Sequence, residues 1–78
     1  MAGTLFLCAT PIGNLGDMTK RVITTLEEVD LIAAEDTRNS IKLLNHFGIR
    51  TPMTSYHEYN KVEKAQQLVG QLLEGKNI

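Results

Sequence analysis

The chain has 78 residues, 42% hydrophobic and 22% charged, with eight Lys and Arg against nine Asp and Glu for a formal charge of -1. That suits one small soluble domain burying about 60 to 65% of its extended surface, and it excludes a disordered linker and a globally basic nucleic-acid binder, so any RNA or DNA contact must rest on a few placed cations. No apolar run approaches the roughly 20 residues of a membrane span, and the N-terminus has no basic segment leading into a signal-like core.

Thr4 to Ala9 is continuously apolar after Thr4, the pattern of a strand covered on both faces. The only cysteine, Cys8, lies inside that run, which argues against a disulfide scaffold and for a reducing compartment; a cytoplasmic location is expected. Pro11 biases Thr10 toward extended backbone and ends the strand, while Gly13 and Gly16 allow a tight turn. Asp17 or Thr19 can cap the helix over Thr19–Glu28, where Val22, Ile23, Leu26 and Val29 share one side.

Asp30–Asp36 predicts a second strand that ends in two carboxylates, Glu35 and Asp36. Asp36 or Thr37 can cap the next helix, which carries Ile41, Leu43, Leu44 and Phe47 and closes at Gly48 in the manner of a left-handed C-cap. Met53–Tyr56 is a short third strand, followed by the polar and aromatic loop His57, Glu58, Tyr59, Asn60. Asn60 with Glu63 three residues on predicts a capping box, with Val62, Ala65, Leu68, Val69 and Leu72 as the stripe of a helix that Gly75 ends. Lys76, Asn77 and Ile78 read as the opening of a fourth strand. The sum is an α/β chain, β-α-β-α-β-α, with a mostly parallel sheet and flanking helices.

Parallel strands one and two would bring the Pro/Gly turn and the two acids to one crevice at the carboxyl edge of the sheet, where open α/β sheets bind ligands. The turn is no Walker A loop, because Lys20 falls after Thr19 and away from Gly16, and no dinucleotide fingerprint, because position 11 is proline. Gly13 to Gly16 with an acid about 20 residues on keeps a nucleotide-binding or merely oligomerising α/β module as an alternative. As strand neighbours, Glu35 and Asp36 would face opposite ways unless the chain turns between them. Arg38, in a first helical turn, calls for an anionic partner, either Glu35 or a phosphate. His57 can donate to a phosphate or act as a base. The spacing of His46, His57 and Cys8 matches no metal site, so none is expected.

The segments Ala9–Asp17, Asp30–Arg38 and Ser55–Glu58 together resemble the small-subunit ribosomal RNA methyltransferase I family, within the tetrapyrrole methylase superfamily. The resemblance covers essentially the whole chain. It implies a tetrapyrrole methylase N-terminal domain, residues 1–78 being its substrate side, from a two-domain enzyme that uses S-adenosylmethionine to methylate the ribose 2'-hydroxyl of a cytidine in 16S ribosomal RNA. It also implies that the main cofactor segment and the C-terminal domain are missing here, so the chain alone is expected to be inactive.

By the same resemblance Pro11, Ile12 and Gly13 lie beside the cofactor, while Asn14, Thr37, Arg38, His57 and Glu58 lie on the RNA side. Glu35 and Asp36 are the candidates for taking the hydroxyl proton. The proline and Asn14 depart from the glycine-rich turn of tetrapyrrole-modifying members, which favours RNA over a precorrin-type substrate, the alternative within the superfamily. A homo-oligomer is expected, because an incomplete sheet leaves an edge open.

Overall fold

The structure, a computed structural model, describes residues 1–8 and 18–78. Its elements run α1 (Lys20–Glu28), β1 (Ile32–Ala34), α2 (Thr37–His46), β2 (Met53–Ser55) and α3 (Lys61–Leu73). Each of the first two helices starts where a short polar side chain can serve the free amides of the first turn. Thr19 Oγ1 accepts from Val22 N–H at 3.2 Å, and Asp36 Oδ1 accepts from the N–H groups of Arg38 and Asn39 at 3.1 and 3.4 Å. At the far end of α1 the Thr51 hydroxyl, 25 residues on, donates to the Leu26 carbonyl at 2.7 Å. Gly48 ends α2 with φ at 67°, a left-handed turn in which Ile49 N–H reaches back to the Leu44 carbonyl at 2.9 Å.

β1 and β2 pair in parallel, with Ile32 opposite Met53, Ala33 opposite Thr54 and Ala34 opposite Ser55. Two further bonds extend the ladder, Ile32 N–H to the Pro52 carbonyl and Tyr56 N–H to the Ala34 carbonyl. Such a pair needs a crossover, and α2 supplies it. Leu26, Val29, Ile32, Leu43, Leu44 and Ile49 form the core, with Val22, Ile23, Phe47, Met53 and Cys8 packed around them. Met53 therefore faces α1 and α2. Thr54, the next residue, faces the other way, where its hydroxyl accepts from Lys64 Nζ of α3 at 2.9 Å. α3 thus reaches the face opposite α1 and α2 through Lys64.

The first apolar run departs from expectation. Thr4 to Cys8 forms no regular strand, and Leu5, Phe6 and Leu7 are exposed, Leu7 at 93%, while among the described residues of the run Cys8 packs on the core. A continuous apolar run shows that a segment suits two-sided burial, but the covering residues must come from elsewhere in the chain. The run is nonetheless placed beside the sheet. Phe6 N–H donates to the Ile78 carbonyl at 2.8 Å and Ile78 N–H to the Thr4 carbonyl at 3.0 Å, the bond pair of a parallel bridge. Asp30 N–H meets the Asn77 carbonyl at 2.8 Å, so Asn77 and Ile78 lie between residues 4–6 and the approach to β1, as a fourth strand would.

The stripe on α3 is also rotated from its expected position. Leu68 is buried and Ala65 and Leu72 half-buried, but Val62 is 74% exposed and Val69 is exposed too. The side that meets the sheet runs through Lys64, Ala65, Leu68, Gln71 and Leu72, because Lys64 and Gln71 contribute long stems and polar ends that a purely apolar count passes over. On α2, Ile41 likewise lies outside the core while Leu44 is only 3% exposed.

Leu44→Ala should therefore cost about 2–5 kcal/mol in urea unfolding, and Ile41→Ala no more than about 0.5 kcal/mol. Equal losses would contradict this orientation of α2.

Candidate functional site

The carboxyl ends of β1 and β2 open into one crevice, because parallel strands in register deliver their exits to one edge. From the first exit come Glu35, Asp36, Thr37 and Arg38, and from the second Ser55, His57, Glu58 and Tyr59. β1 stops at Ala34 and the chain bends at Glu35 before Asp36 caps α2. That bend overrides the strand alternation that would send adjacent carboxylates to opposite faces, and both acids line the crevice.

The two acids are differently engaged. Besides its two backbone bonds, Asp36 accepts from the Asn39 side-chain amide through Oδ2 at 3.0 Å, so its carboxylate is committed to α2. Glu35 is exposed, and among the described residues no hydrogen bond holds its carboxylate. Arg38 is exposed as well, its guanidinium carried at the N-terminal turn of α2.

Asn60 organises the second exit. Its Oδ1 accepts from His57 N–H at 2.8 Å, and its Nδ2 donates to Ser55 Oγ at 2.8 Å. The capping box expected from Asn60 and Glu63 does not form: Asn60 sits at the N-cap position of α3 without a side-chain cap bond. Its amide serves the strand exit in place of the helix, one local hydrogen bond competing with another. Within the loop, Tyr59 N–H donates to His57 Nδ1 at 3.2 Å. A neutral imidazole that accepts at Nδ1 carries its proton at Nε2, so His57 offers a donor there.

Six predicted site residues, Glu35, Asp36, Thr37, Arg38, His57 and Glu58, thus meet in one place. Pro11, Ile12, Gly13 and Asn14 lie outside the described residues. Sequence reasoning missed Asn60 as the organiser of the loop and left Tyr59 without a role; an amide side chain five residues after a serine, in a loop entering a helix, was the available signal.

Three carboxylates, two hydroxyls, a guanidinium, an imidazole and a phenol line the crevice, a set of hydrogen-bond donors and acceptors. Among the described residues no helix is long and apolar enough to cross a membrane, and no group of three or more His, Cys, Asp or Glu is placed to hold a metal ion.

Residues 4–78 match the family model described as tetrapyrrole (corrin/porphyrin) methylases. The chain belongs to the tetrapyrrole methylase family. Among curated relatives, it is 59% identical over 76 residues to the ribosomal RNA small subunit methyltransferase I of Synechocystis sp., covering 97% of this chain and 27% of that protein. The protein of the same name from Halalkalibacterium halodurans is 59% identical over 97% of this chain and 26% of its own length. That from Pseudomonas aeruginosa is 51% identical over 99% of this chain and 27% of its own. The chain spans about a quarter of the length of these relatives.

Asn60→Leu should loosen the His57 loop by about 1–3 kcal/mol of local stability, since it strands the His57 amide; amide hydrogen exchange at His57 reads this directly. Asn60→Asp keeps the acceptor and should retain protection. Unchanged exchange in the leucine variant would remove Asn60 from its organising role.

Proposed function

We propose that this chain forms the RNA-facing side of a methyltransferase that uses S-adenosylmethionine to methylate the ribose 2'-hydroxyl of a cytidine in 16S ribosomal RNA. The observation that carries the reading is the meeting of an exposed carboxylate, a guanidinium and an imidazole donor at one sheet edge, in a chain whose relatives are named as ribosomal RNA small subunit methyltransferases. A cytoplasmic location accompanies this substrate.

The methyl donor supplies an electrophilic carbon on a sulfonium; by resemblance Pro11, Ile12 and Gly13 lie beside it. The described residues act on the acceptor. Arg38 and the Nε2–H of His57 hold phosphate or ribose oxygens, with Asn14, Thr37 and Glu58 as further RNA contacts. As the ribose oxygen bonds the methyl carbon and the carbon–sulfur bond breaks, the hydroxyl proton must leave. Of the two acids, Glu35 is the one free to take it, whereas Asp36 holds Arg38 in place through the N-terminus of α2.

In a full-length protein, Glu35→Gln should lower the methyl-transfer rate by about 10²- to 10⁴-fold with little change in melting temperature. Asp36→Asn preserves a capping side chain and should lose far less. Comparable losses in both variants would overturn this division of roles.

The exposed Leu5, Phe6 and Leu7, beside the Ile78 pairing, further support self-association through this edge. Light scattering at high protein concentration should give a dimer or larger species; a monomer would contradict it.

A further inference from the structure

Tyr59 is 95% exposed at the mouth of the crevice and takes no part in the core. The loop that carries it is nevertheless held. Its backbone N–H is bonded to His57 Nδ1 at 3.2 Å, its ring stands at 66° to the imidazole with centroids 6.1 Å apart, and Asn60 ties the whole loop to Ser55. An edge-to-face contact of this kind steadies an aromatic ring and leaves ring face open to solvent. An uncovered aromatic ring on a held loop, lining the same crevice as an exposed arginine, matches what single-stranded RNA requires, a surface for a base and a cation for its phosphate. Duplex RNA offers no base face to such a ring.

We propose that Tyr59 is a stacking platform for an unpaired base of the RNA that Arg38 and His57 hold by its backbone. This rests on the RNA reading of the crevice and adds to it a requirement for an unpaired nucleotide, imposed by this chain itself.

The test uses full-length protein and a fluorescently labelled 12-nucleotide single-stranded RNA, with the same sequence as a duplex for comparison. Tyr59→Leu, which keeps apolar bulk without a π-face, should weaken binding of the single strand by about 5- to 150-fold and leave the salt dependence unchanged. Tyr59→Phe should bind as the parent does, and duplex binding should be indifferent to either change. Arg38→Ala should weaken binding and lower the salt slope by about 1. If Tyr59→Leu binds the single strand as tightly as the parent while Arg38→Ala does not, the platform is overturned and the RNA site stands. If the parent binds neither RNA, both readings fall.

Discussion

The parallel register of β1 on β2 is the constraint on which the rest depends. Ile32 opposite Met53 puts both side chains on the face that α1 and α2 cover, and Ala33 opposite Thr54 puts Thr54 where Lys64 of α3 can reach it. Sliding one strand by one residue would exchange these faces, burying Thr54 in the apolar core and turning Met53 toward a lysine. The same register ends both strands level, so the bend at Glu35 and the loop at His57 open on one crevice. Fold stability and the placement of the polar residues are therefore set by one set of hydrogen bonds.

Around that register the polar side chains divide into those that hold the scaffold and those that stay exposed. Asp36, Thr51 and Asn60 are occupied by named partners: the first turn of α2, the last turn of α1 and the exit of β2. Each such bond contributes on the order of 1 kcal/mol, a large share of what a chain this small has to spare. Glu35, Arg38 and Tyr59 are exposed between these anchors. The crevice is thus built on tied neighbours and without backbone strain: the described residues contain no cis peptide and no non-glycine residue at positive φ.

Much of this was legible in the sequence where the signal is local. Asp36 before an amphipathic run, Thr19 before another and Gly48 after the second announce caps that depend on neighbours within four residues, and all three occur. That the chain exits after Ala34 and Ser55 open on one crevice follows from parallel topology, whereas the Pro/Gly turn expected beside the acids lies outside the described residues. Readings that depend on distant residues fared differently. Leu5 to Leu7 have the pattern of a covered strand, but cover is not encoded in the run itself. Val62 and Val69 have helical spacing, yet Lys64 and Gln71 take the side of α3 that meets the sheet. Asn60 had two possible partners, the helix ahead and the serine behind, and sequence spacing does not rank them.

The bridge between Leu5 and Ile78 joins segments separated by nearly the whole chain. During synthesis the amino-terminal run leaves the ribosome first and must wait for residue 78 before it has a backbone partner. At about 5–20 residues per second that interval is about 4–15 s, far longer than the microseconds in which helices and local loops form. For that time the backbone of Leu5 to Leu7 lacks the partner it has in the folded chain, and the α2 crossover can set β1 against β2 well before the amino-terminal bridge closes.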